Sequence, residues 1–272
     1  MKITKTILVV LFSLSFIGCA HQVKRGSIKE SALDGLRFES LSRYNHKRLE
    51  TIKTNKSELA ACHDGRYNEA LNSFKSTLDK DKNNAKYWNT IATCYLLKRE
   101  LPKAKFYYDL ALKTSGSKRM KAVINNNLGL YFNLRGLDSL AIHSFKESIK
   151  MNSELLTPKY NLGKLYLRFG LYKKAKTILT SLYKLAPKDI DFVASLGHLS
   201  LMTGNYKKAK WYYNQMPKEY LKRDSHATNY AMALFMTGDF KAAKSTISNA
   251  DQNDSYYTLT QTKILKKMKY ED

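Results

Sequence analysis

From residue 158 to residue 187 apolar side chains return at the spacing of a helix, break off at Gly170, and resume until Pro187. Leu162, Gly163 and Tyr166 fall along one predicted helix, and Ala175, Leu179 and Leu182 along the next. Two helices this short cannot cover both apolar faces by themselves, so the pair reads as one unit of a stack. The same pattern recurs over most of the chain downstream of residue 50. Alanines stand at Ala70, Ala104, Ala141, Ala175, Ala209 and Ala243, separated by 34, 37, 34, 34 and 34 residues. An apolar or aromatic residue follows four positions later each time (Phe74, Tyr108, Phe145, Leu179, Tyr213, Ile247), on the same helical face.

Small residues mark the first helix of each unit at Ala92, Gly129, Gly163, Gly197 and Ala231, where they let neighbouring helices approach closely. Turn glycines follow at Gly65, Gly136, Gly170, Gly204 and Gly238, at a reversal that asks for positive φ. A helix-turn-helix repeated every 34 residues resembles the tetratricopeptide repeat family. The resemblance implies an all-α, right-handed solenoid of about six repeats. It divides the chain into a repeat region over 46–250 with a degenerate first unit, and a capping helix over 251–272.

Several units depart from the pattern. The first has Glu58 at the small-residue position and Ala61 where a large aromatic is usual. The second has Arg99 in place of the turn glycine, and three extra residues around 115–118 are expected to lengthen its exit loop. The third has Asp138 in place of an aromatic. In the fifth, Pro217 is expected to cut the second helix short, because proline lacks the N–H and its ring clashes one turn back. Beyond residue 250, Tyr257, Ile264, Leu265 and Met268 follow a helical spacing, with lysines on the other side. Leu265 lies 34 residues after Ala231, as in the first helix of an unfinished seventh unit.

The first twenty residues change the picture. Lys2 and Lys5 precede an apolar run from Ile7 to Ile17, the layout of an export signal. At about 1.5 Å per residue the run is far shorter than the roughly 30 Å hydrocarbon core of a bilayer. Phe16-Ile17-Gly18-Cys19 resembles the lipobox of bacterial lipoproteins, with Phe16 where that family usually has an aliphatic residue. This implies cleavage of 1–18, lipidation of Cys19, and a tether over 19–45. With Ala20 after the cysteine, the expected site is the outer membrane, facing the periplasm. Several acyl chains would hold the protein there without help from charge.

With 47 Lys and Arg against 23 Asp and Glu, the formal charge is +24, which favours anionic partners without choosing among them. Export argues against nucleic acid. The lysines are scattered, and a solvated exterior accounts for them as well. The six histidines show no metal-ligand spacing, and neither a nucleophile elbow nor a phosphate loop is present. No cofactor, metal site or enzymatic activity is therefore expected. Cys94 takes a packed position that suits a buried thiol, while an oxidising compartment permits a pair with Cys62.

What the family offers instead is a concave groove lined by first helices. Its positions fall on Asn89, Thr93 and Leu96, then on Asn126, Leu130 and Asn133, then on Tyr160, Lys164 and Leu167, and finally on His198, Leu201, Met232, Phe235 and Met236. One end is rich in amides and the other is apolar, which suits an amphipathic helix or extended segment of a protein partner. The Lys and Asn clamp of chaperone-binding members is not reproduced. In layout the chain is similar to the pilotin lipoproteins of type IV pilus systems, which implies an adaptor aiding secretin or pilus assembly. Scaffolding of peptidoglycan enzymes or of barrel assembly, and less readily an enzyme with a repeat arm, are the alternatives.

Overall fold

The computed structural model describes residues 58–268. The signal, Cys19, the tether, the start of the repeat region and residues 269–272 lie outside them. Fourteen helices and no strand are present among the described residues, arranged as helix-turn-helix repeats with a final capping helix. The chain forms two compact units, one ending at Leu162 and the other beginning at Gly163.

In the first unit, α1 (Glu58–His63) and α2 (Tyr67–Asp81) make the first repeat. The second is α3 (Ala85–Lys98) with α4 (Leu101–Thr114), and the third is α5 (Lys118–Leu134) with α6 (Asp138–Met151). Helix α7 (Leu156–Arg168) begins here and ends in the second unit. There it is followed by α8 (Tyr172–Leu185), α9 (Ile190–Met202), α10 (Tyr206–Tyr213) and the short α11 (Lys218–Leu221). Helices α12 (Asp224–Phe235) and α13 (Phe240–Ser248) form the sixth repeat, and α14 (Ser255–Met268) is the cap.

One turn closes all six repeats. A residue with left-handed backbone is followed by an N–H that bonds the carbonyl five residues back, as in Arg66 to Ala61 (2.8 Å), Leu171 to Tyr166 (2.9 Å) and Asp239 to Leu234 (2.9 Å). Glycine supplies that conformation in five repeats. In the second, Arg99 takes φ 70° itself, and the same bond forms from Glu100 to Tyr95 at 3.0 Å. The turn geometry therefore overrides the strain of a side chain at positive φ.

All six lattice alanines are buried, as are the six large residues four positions on. The small residues of the first helices are needed for this packing. A Cβ added at Gly129 would stand 2.4 Å from the Phe145 ring, and one at Gly197 2.8 Å from the Tyr213 ring.

Two departures turn out differently from expectation. The three extra residues of the second repeat do not lengthen a loop. Only 115–117 separate α4 from α5, and α5 instead runs for 17 residues against 14 in α3. Ser117 caps it by accepting the Met120 N–H, and the Lys-Arg-Met-Lys-Ala that follows is made of good helix formers. In the cap, Ile264, Met268 and Gln261 form the packed face and Leu265 is only half-buried. Gln261 donates to the Thr228 hydroxyl at 2.9 Å. Pro217 acts as expected: α10 stops at Tyr213, the residue whose carbonyl the proline ring would strike.

The degenerate first repeat is held by a bond as well as by packing. Cys62 and Cys94 form a disulfide with 5.3 Å between their Cα atoms, joining α1 to α3. A helix of six residues buries little surface, and closing a loop across 32 positions of sequence contributes about 3.7 kcal/mol in the chain-entropy picture.

Candidate functional site

Except for Met236, which caps the end of α12, the predicted groove residues stand on first helices, but most are engaged inside the protein. In the first unit Asn89, Thr93, Leu96, Asn126 and Tyr160 are buried. The Thr93 hydroxyl shares a hydrogen bond with the buried Tyr108 hydroxyl at 3.2 Å. Asn127 Nδ2 donates to Asn89 Oδ1 at 3.1 Å, Asn126 Nδ2 to Asn127 Oδ1 at 3.1 Å, and Asn161 Nδ2 to Asn126 Oδ1 at 2.8 Å. This amide ladder ties α3, α5 and α7 together through a buried interior, where a satisfied amide adds specificity and an unsatisfied one is costly. The amides assigned to a partner thus serve the contact between repeats.

Asn127 and Asn161 were not among the predicted residues, although the sequence carried a signal for them. The ladder pairs a residue three before the small position of one repeat with a residue two before it in the next: Asn89 with Asn127, then Asn126 with Asn161. Farther along, the first of these positions becomes Tyr160 and Ala194. Only Leu130 and Asn133 of the first unit's candidates are half-buried. Asn133 Oδ1 is buried without a hydrogen-bond partner among the described residues.

In the second unit Leu167, Leu201, Met232 and Phe235 are buried, and Phe235 packs its ring 5.6 Å from that of Phe240. They belong to the core between helices rather than to an open surface. Lys164 is exposed, and His198 and Met236 are half-buried. Met236 also lines a shallow, open depression with Thr203, Asn205, Tyr206 and Lys207. Burial first, and then the Lys164 ammonium, push His198 down to about 4. His226 is likewise pushed down to about 4, chiefly by burial, with Arg223 and Lys164 adding to it against a hydrogen bond to the Tyr220 carbonyl. Both imidazoles are therefore neutral at pH 7.

Among the described residues no three or more His, Cys, Asp or Glu gather closely enough to hold a metal ion, and no helix is long and apolar enough to cross a membrane. The predicted residues that remain accessible are Leu130 and Asn133 on α5, Lys164 with His198, and Met236 at the edge of the depression. Such surfaces can bind a segment of another chain.

Residues 157–189 match the tetratricopeptide repeat family profile. No curated protein matches the chain. Among solved structures the chain is similar to PilW, described as a widely conserved type IV pilus biogenesis factor, with a TM-score of 0.60 and 16% identity over 74% of this chain and 94% of that one. It is similar to Pseudomonas aeruginosa PilF, with a TM-score of 0.61 and 16% identity over 86% and 99%. A tetratricopeptide repeat protein from Parabacteroides merdae gives 0.60 and 19% over 79% and 84%. At these identities the likeness establishes the fold, a solenoid of tetratricopeptide-like repeats.

Proposed function

We propose that the chain is a non-enzymatic adaptor that binds a protein or peptide segment along its first helices, anchored through Cys19 at the outer membrane and facing the periplasm. The observation that carries this reading is Asn133. A buried amide oxygen without a donor costs about 1–3 kcal/mol, and here it sits beside the half-buried Leu130 on a first helix. A change of χ1 rotamer would bring the amide out of the interior and present the oxygen to a backbone N–H of an incoming segment, with Leu130 as the apolar contact. The Cys62–Cys94 disulfide supports export, since such bonds persist in oxidising compartments.

The finer reading is assistance to secretin or type IV pilus assembly. It is supported by the extent of the likeness to PilW and PilF, which reaches nearly the whole of both structures. Crosslinking of the full chain in cells, followed by mass spectrometry, tests it. Wild type should recover pilus or secretin components, Leu130→Glu should lose them, and Asn133→Ala should weaken capture while leaving thermal stability equal or higher. Equal recovery by all three chains would remove the adaptor reading. Recovery of peptidoglycan hydrolases or barrel-assembly proteins in place of pilus components would keep the adaptor and replace the pathway.

A further inference from the structure

The second helices of the second unit repeat one basic motif, YKKAK at 172–176 and 206–210 and FKAAK at 240–244. The 34-residue period places Lys173, Lys207 and Lys241 at one register position, the first turn of α8, α10 and α13. These helices are neighbours. The Tyr183 hydroxyl on α8 donates to Gln215 Oε1 just beyond α10 at 3.0 Å, and Lys210 Nζ on α10 reaches Asp239 Oδ2 at the start of α13 at 2.9 Å. The three ammonium groups therefore form a row.

Stability does not explain the row. A cation in the first turn opposes the helix dipole, and an acid would suit it better. Helices α2 and α6 do carry acids there, Glu69 and Asp138, whereas α8, α10 and α13 carry none. Lys173, Lys207 and Lys241 are exposed and have no carboxylate partner among the described residues. Nearby acids are engaged elsewhere: Asp189 caps α9, Asp224 accepts the N–H groups of Asn253 and Asp254, and Asp239 caps α13 while pairing with Lys210. A second feature accompanies the charge. Trp211, four residues after Lys207 and so on the same helix face, is 52% exposed.

We propose that this face docks on a bilayer surface bearing anionic phospholipid headgroups, with the lysine row against the phosphates and Trp211 in the interfacial layer. Lysines near such a surface each strengthen attachment, and tryptophan favours the membrane–water interface. A soluble polyanion would use the lysines but would leave the exposed indole without a role. The disulfide suits an oxidising compartment, away from nucleic acid in the cytosol. This face lies on second helices and is independent of the groove reading, so either can fail alone.

The test mixes the full chain with vesicles of phosphatidylcholine alone, or with one third phosphatidylglycerol, and reads tryptophan emission, using Trp211→Phe to identify the signal. An acyl anchor inserts into both compositions and cancels in the comparison. A blue shift of Trp211 should appear with phosphatidylglycerol and fade with salt. Lys173→Gln with Lys207→Gln and Lys241→Gln should weaken this response on the order of 100-fold, with Tm unchanged or raised. The proposal is overturned by equal shifts on both vesicles, by a triple variant that keeps wild-type affinity, or by a response to poly-glutamate or DNA without one to phosphatidylglycerol.

Discussion

The two units share one repeat and stabilise it by different means. In the first, first helices are joined by amides, α1 is tied by a disulfide, and outer charges are paired, as in Lys105 with Asp109 at 2.8 Å and Lys103 with Glu100 at 2.6 Å. In the second, first helices bury apolar Leu199, Leu201, Met232 and Phe235, two histidines are held neutral, and exposed lysines go without acids. The 34-residue lattice specifies only the small and large positions that interlock. Everything between them is open to a polar or an apolar solution, and to a neutralised or a charged exterior.

The two tryptophans, Trp88 in the first unit and Trp211 in the second, allow this contrast to be measured unit by unit. Acid should produce the largest difference. His198 and His226 sit at about 4 in the folded protein against about 6.5 unfolded. Their contribution is complete above pH 6.5 and is withdrawn as pH falls towards 4, by up to about 3 kcal/mol each. Melting followed at Trp211 should therefore drop steeply over that window and melting at Trp88 much less. Replacing both histidines by Asn should flatten the Trp211 profile; an unchanged profile would show that the second unit does not depend on neutral imidazoles.

Next in size, Asn126→Ala removes an acceptor from Asn161 and a donor from Asn127 in a buried setting. It should cost about 2 kcal/mol, measured by urea denaturation at Trp88. A loss below about 0.5 kcal/mol would mean that the ladder is incidental. The smallest effect has the opposite sign. Arg99→Gly removes a side chain from φ 70° and should stabilise the first unit by about 1 kcal/mol, whereas Gly170→Ala, at φ 69° in the second unit, should destabilise it by a similar amount.

The periodic residues made the fold legible. Alanines, small residues and turn glycines announced six repeats, and even the substitution at Arg99 left the turn in place, since a short loop between two packed helices has few ways to reverse. The candidate site was less legible. Asn89 and Asn126 looked like ligands for a partner because polar residues on a first helix usually face solvent, yet each bonds an amide of the next repeat.

The sequence by itself determined the helix-turn-helix period, the burial of its alanines and the early end of α10 at Pro217, because each follows from local sterics and from spacing along one helix. The tertiary structure decided that Cys62 pairs with Cys94, that three extra residues extend α5 rather than a loop, that the amides form a ladder, and that α8, α10 and α13 reach one another through Tyr183 and Lys210. Those features depend on which side chains of different repeats come within a few ångströms of one another, and distance along the chain does not encode that proximity until the repeats have stacked.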